Sequence, residues 1–462
     1  MPPLDAIVGG ATSYLADAVL IGREVVERVR IDIGRDGRIA ALHRNAERAD
    51  EHLAGLVVPG IANLHCHAFQ RAMAGLAERA GPEGDNFWRW REVMYRFLAT
   101  LTPDDVQAIA AQCYAEQLLN GYTAVAEFHY LHNAPDGSPY AQPEELSLRI
   151  TAAAEAAGID LVLLPVLYRH GGFGGAPPSD GQRRFLLDPD AYARLCGDMV
   201  RHARIGIAPH SLRAVTPEEL AAACELAAAL GPATPLHIHV AEQEREVADC
   251  LAWSGARPVA WLLDHAPVDA RWCLVHATHI DEGECALLAG SGAVAGLCQT
   301  TEANLGDGIF PLRPYLAAGG RFGVGTDSNV SASPVEELRW LEYVRRLESR
   351  ARNVSETRPG ASVGAALLGR AAAGGAQALG RACGEIAVGH HADLVVLDPE
   401  HPSLVGRSGL GLLDAWVFSG TATPVRHVMV NGAWVVRYGT HLRGREIEAT
   451  FARTMRRLAD AL

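Results

Sequence analysis

The stretch VVPGIANLHCH (57–67) is an apolar run that ends in two histidines separated by one residue. That spacing puts the His65 and His67 side chains on one face of an extended chain, where two imidazoles can share one metal ion. Seven further runs share its texture: YTAVAEFHY (122–130), IDLVLLPVLYR (159–169), RIGIAPHSL (204–212), PLHIHVAE (235–242), RWCLVHATH (271–279), GAVAGLCQT (292–300) and RFGVGTDSN (321–329). Amphipathic stretches rich in Ala, Leu, Glu and Arg lie between them. One, TPDDVQAIAAQCYAEQLLN (102–120), offers Thr102 as N-cap and Pro103 as first helical residue. Eight strand-then-helix units predict an α/β fold, a closed (β/α)8 TIM-like barrel over residues 58–385, with an open doubly wound sheet as the alternative.

Outside the barrel the texture is β. Short strand candidates fill residues 5–58 around an Asp36-Gly37 turn, AVLIGREVVERVRIDIG (18–34) among them. Strand texture returns in EIAVGHHADLVVLDP (385–399) and PVRHVMVNGAWVVRYG (424–439). Residues 1–57 and 386–445 are therefore expected to form one small β-sandwich built from both chain ends, and residues 446–462 a terminal helix. The Gly/Pro-rich GGFGGAPPSDGQ (171–182) reads as a mobile loop over the barrel mouth.

Composition narrows the chemistry. The 462 residues carry 49% hydrophobic and 21% charged side chains, which is ordinary globular material. All 41 basic residues are Arg, and there is no Lys. Schiff-base catalysis, a P-loop lysine and a carboxylated-lysine metal bridge are thereby excluded. A formal net charge of −13 argues against wrapping nucleic acid or lying on an anionic membrane. Nine unpaired-looking cysteines and a start without a basic-then-apolar leader predict a reduced, cytoplasmic setting.

Chemistry-bearing residues gather where barrel strands should end. The fifth run supplies His237, His239 and Glu242, the sixth ends at His276, and the eighth ends at Asp327. A metal ligand with a carboxylate three residues beyond suits a metal-plus-proton-shuttle site, and four separate strands deliver such residues to one end.

PGIANLHCH, HIHVAE, VHATH, GTDSN and the late GEIAVGHHADLVVLD together resemble the amidohydrolase superfamily. NLHCHAFQRAMAGLAE, FWRWREVMYR, EFHYLHN, APHSLRAV, HIHVAEQ and TEANLGDGIFPL look like its formimidoylglutamate deiminase branch of histidine degradation. The resemblance implies one divalent metal, Zn²⁺ by preference with Fe²⁺ open on ligand type, held by His65, His67, His239 and Asp327. It also implies Asp327 accepting a proton from water, Glu242 passing one to the departing nitrogen, and His276 polarising the reacting group. Gln70, Arg91, Tyr130, His210 and Arg213 match substrate-contacting positions, Arg being the side chain that grips a carboxylate with two hydrogen bonds. The implied partner is a small dicarboxylate substrate, N-formimidoyl-L-glutamate, hydrolysed to N-formyl-L-glutamate and ammonia; a homodimer is left open. The alternatives are an aminohydrolase acting on a heterocycle such as guanine or cytosine, or a non-catalytic scaffold.

Glu302 is expected to close its loop rather than touch substrate. CQTTE (298–302) departs from the CPTTE form associated with the family, losing a fixed φ. Cys66 should point away from its two histidine neighbours, and His129, His132 and His279 should serve structure.

Overall fold

The computed structural model describes residues 13–78, 87–420 and 422–461. All eight barrel strands form inside the expected runs: Ile61–Cys66, Tyr122–His129, Asp160–Leu167, a split fourth strand (Arg204–Ile205 and Ala208–Pro209), Leu236–Val240, Trp272–His276, Val294–Leu297 and Arg321–Val324. The first four pair in parallel in order, as do the last four. Parallel bridges Ile207–Leu236 and Ser211–His239 join the two halves, and Cys66–Asp327 closes the ring. His67 N donates to Asp327 O and Asp327 N to His65 O, each at 3.0 Å, so the closing seam runs through three of the candidate ligands. The fourth strand breaks at Gly206, where a Cβ would lie 2.4 Å from Leu164.

Helices cover the barrel because the strands are apolar on both faces. Their starts carry the expected signals. Thr102 caps Pro103–Leu119 with a reciprocal Asp105 contact, and Thr216 with Glu219 does the same for Pro217–Leu230.

Both chain ends supply one eight-stranded path, in the order Thr440–His441, Ala433–Arg437, Val425–Val430, Leu394–Leu397, Glu51–Pro59, Ser13–Ile21, Glu24–Ile33 and Ile39–His43. It folds over on itself, bringing Tyr14 edge-on to Trp434 at 5.5 Å around a separate apolar core that includes Val29, Ile31, Leu53, Leu394 and Val396. Two readings change here. The run 18–34 is two strands, turned at Gly22 (φ 59°). The run 57–67 holds the end of a sandwich strand and the start of a barrel strand, separated by Gly60, where a side chain would strike Thr123.

The terminal helix spans Gly444–Ala461 and packs on Pro103–Leu119, with Arg457 paired to Asp105. Residues 171–182, expected as a mobile cover, form two short 3-10 turns. Phe173 stacks on Trp253, and Gln182 donates to the Tyr168 hydroxyl at 2.6 Å. The strand expected over residues 5–12 lies outside the described residues. No helix among the described residues is long and apolar enough to cross a membrane.

Candidate active site

Each candidate side chain enters the site from the carboxyl end of a barrel strand or the loop behind it. Alternation within Ile61–Cys66 sends His65 inward, while Cys66 lies within reach of Gln117 and Asn329, away from its neighbours as expected. His237 and His239 lie on the same face of Leu236–Val240 at different depths: His239, nearer the carboxyl end, reaches the site, whereas His237 has its Nε2 2.8 Å from Ala378 O.

His65, His67, His239 and Asp327 are all buried, and one ligand atom from each lies within 4.8 Å of the others. The Nε2 of His65 is 3.2 Å from that of His67 and 3.0 Å from that of His239. Asp327 Oδ1 lies 3.3 Å from His67 Nε2 and 3.5 Å from His65 Nε2. Three imidazole nitrogens and a carboxylate oxygen gathered this closely can share one cation. Two of the rings are set for a cation, because Nδ1 of His67 is 2.8 Å from Phe128 O and Nδ1 of His239 is 3.0 Å from His210 O. Donation there leaves a bare Nε2 lone pair facing the cluster. Burial lowers His65 to about 3 and also lowers His67 and His239, so the three rings are neutral and ready to ligate. The donor set fits a borderline divalent ion such as zinc. A second grouping, His276, Cys298 and Asp327, also comes together, but burial pushes the Cys298 thiol well up, which keeps it from acting as a thiolate.

Around this cluster sit further buried titratable groups. His276 Nε2 is 3.7 Å from Glu242 Oε1 and 3.9 Å from Asp327 Oδ2. Burial opposes a charge on His276, yet the carboxylates of Glu242, Asp327 and Glu302 push it up to about 10. Burial raises Glu242, against the pull of His276 and Arg213. Ala241, His276, Ala277 and Asp327 all take left-handed backbone conformations, at φ between 48° and 68°, a strained choice for residues with side chains.

A pocket opens above, and Gln70, Arg91, Tyr130, His210 and Arg213 all line it together with His67, His239, Glu242, His276 and Asp327. His65 lies deeper. Gln70 donates to the Tyr130 hydroxyl at 2.7 Å. Arg213 Nη2 is 3.5 Å from Glu242 Oε2, and its Nε is 3.9 Å from Glu246. Arg91 stands over the Trp88 ring at 4.7 Å, which holds its guanidinium at the rim.

Sequence reading missed several contributors. Tyr168, Phe185 and Met94 complete the wall. Glu302 neither closes its loop alone nor reaches the pocket: it is buried behind His276, with Oε1 3.2 Å from the ring Nδ1. Its place in a short helix 26 residues downstream left no signal in the spacing. His132 Nε2 lies 2.9 Å from Val166 O and His279 Nε2 lies 2.7 Å from Asp307 O; these are structural roles, and His129 is fully buried outside the cluster.

Residues 56–435 match the amidohydrolase family model. The chain is 52% identical over 457 residues to a formimidoylglutamate deiminase of Pseudomonas aeruginosa, covering 97% of this chain and 100% of that protein. A 5-methylthioadenosine/S-adenosylhomocysteine deaminase of Natronomonas pharaonis is 30% identical, over 88% of this chain and 85% of its own. The crystal structure of an amidohydrolase from Brucella melitensis superposes with a TM-score of 0.91 at 48% identity, covering 97% of this chain and 99% of that one. With the barrel closed through Cys66 and Asp327, and the family model covering the whole barrel and most of the sandwich strands that follow it, this chain belongs to the amidohydrolase family.

Proposed function

We propose that the protein is a hydrolase that removes ammonia from N-formimidoyl-L-glutamate, leaving N-formyl-L-glutamate. The observation that carries this reading is the placement of Arg213, a guanidinium beside the Glu242 carboxyl and directly above a four-ligand cluster. An acyclic amidine with carboxylates at one end and its reactive carbon at the other matches that layout, and Arg binds carboxylates bidentately. The strong identity to a formimidoylglutamate deiminase supports the same reading.

The ligand residues are His65, His67, His239 and Asp327, and one ion, zinc by donor chemistry, is the expected occupant. A divalent ion bound there supplies Lewis acidity that lowers the pKa of water. Asp327 takes a proton through Oδ2, the oxygen turned toward His276, as the water oxygen bonds to the formimidoyl carbon. His276 offers its Nε2 to the charge that develops on the tetrahedral carbon's substituents. Glu242, whose burial favours the protonated form, donates to the departing nitrogen so that the C–N bond breaks and ammonia leaves. It then takes the hydroxyl proton as the formyl carbonyl forms, and the proton held by Asp327 goes to the released ammonia. Arg213, with Arg91, Gln70, Tyr130 and His210, holds the glutamate end. The nine cysteines are all unpaired, in keeping with a reducing compartment such as the cytoplasm.

The test is ammonia release by metal-reconstituted protein from N-formimidoyl-L-glutamate, N-formimidoyl-L-aspartate, guanine and cytosine. Preferred turnover of the first is expected. Activity confined to a heterocycle would overturn the reading.

A further inference from the structure

We propose that Glu302 is a positioning residue that fixes the ring orientation of His276 by accepting from its Nδ1, and that Gln299 holds the Glu302 carboxylate in place for this task. The proposal deepens the function above and rests on it only for the identity of the substrate.

His276 ends the strand Trp272–His276 with φ 68°, and Ala277 follows at 48°. A left-handed residue at a strand end directs its side chain unusually, so the ring must be fixed from outside the backbone. Glu302 Oε1 lies 3.2 Å from Nδ1 and also accepts from Cys298 N at 3.0 Å. An oxygen accepting from Cys298 N acts as acceptor toward the ring as well, so Nδ1 carries a proton. The other ring nitrogen, Nε2, is then the one presented toward Glu242, Asp327 and the pocket.

Glu302 cannot be a substrate contact. It is 1% exposed and both of its oxygens are engaged, Oε2 by the Gln299 amide. The short helix Gln299–Leu305 is itself pinned, because Thr300 N donates to the buried Glu337 at 3.0 Å and the Thr300 hydroxyl contacts the same carboxylate.

Gln299 is the residue at which the CQTTE stretch departs from CPTTE. It occupies the first position of that helix, where proline is tolerated because the N–H lacks an intrahelical partner. Gln there leaves the backbone undisturbed and adds a donor that proline cannot provide. The departure thus tightens the hold on Glu302.

Glu302→Gln and Gln299→Pro, each metal-loaded, test this. Glu302→Gln removes the charge and places an amide against the Gln299 amide; kcat should fall by about 10²-fold or more, as for other general acid–base machinery. KM and the metal-to-protein ratio should stay unchanged. Gln299→Pro, which the helix start accommodates, should lower kcat several-fold with the same unchanged KM and metal content. Nitrogen NMR of His-labelled protein, with His276→Gln for assignment, should show a protonated, hydrogen-bonded Nδ1 in the wild type and a shifted or lost Nδ1 proton signal in Glu302→Gln. Unchanged kcat in both variants, or losses that follow metal content and KM, would overturn the proposal. The NMR readout needs no substrate, so it still decides this point if N-formimidoyl-L-glutamate proves not to be turned over.

Discussion

The barrel mouth and the β-sandwich differ in what they bury. Both regions hold left-handed residues, which in the sandwich are Arg28, Asn45, Asn431 and Tyr438. At the mouth they are Ala241, His276, Ala277, Asp327 and Asn329. The sandwich core is apolar and self-contained, whereas the mouth buries Glu242, Glu302, Asp307 and Asp327 beside histidines. Buried acid gathered beside histidines at one end of the fold marks the region shaped for chemistry rather than stability.

If that division is right, substitutions in the two regions should separate cleanly. Glu242→Gln should cost about 10²–10⁴-fold in kcat while metal content and melting temperature hold; near-normal turnover would remove Glu242 as the proton donor. Leu394→Ala, in the sandwich core, should lower stability by about 2–5 kcal/mol in denaturant unfolding with kcat/KM unchanged. A matching loss of kcat/KM would mean that the two regions are coupled.

Arg213→Ala should raise KM for the dicarboxylate by about 10–100-fold, the equivalent of one charge-assisted hydrogen bond of about 1.5–3 kcal/mol. Loss of metal instead would place Arg213 in the cluster's support.

The smallest effect concerns Asp307, which burial and the nearby Glu242 raise to about 9. A carboxyl raised on folding contributes stability at acid pH that is lost as pH climbs from about 4 toward about 9, because the unfolded chain releases the proton first. Asp307→Asn keeps an acceptor for Gln243 and removes the titration. Its melting-temperature advantage over the wild type should therefore grow from pH 5 to pH 8; a constant difference would show that Asp307 does not titrate in that window.

Most of the barrel was legible because its strands are short apolar runs that end in chemistry-bearing residues. His65, His67, His239, His276 and Asp327 could be picked out for that reason, since strand alternation and strand ends dictate where they point. The split fourth strand was hidden because Gly206 gives way to Leu164, a residue distant in sequence. The turn at Gly22 was hidden because apolar residues continue on both sides of it. Tyr168 and Phe185 reach the pocket from around a loop whose packing, through Gln182 and Trp253, is tertiary. Glu302 was misjudged because its partner, His276, lies on a different strand, and no local pattern joins the two.

The central claim is that one end of the barrel holds a single divalent ion in a His65, His67, His239 and Asp327 cage. Anomalous diffraction at the zinc edge from crystals of zinc-reconstituted protein tests it most directly. One peak per chain, enclosed by those four side chains, is predicted. A second peak, or a peak seated among His276, Cys298 and Asp327, would contradict the account.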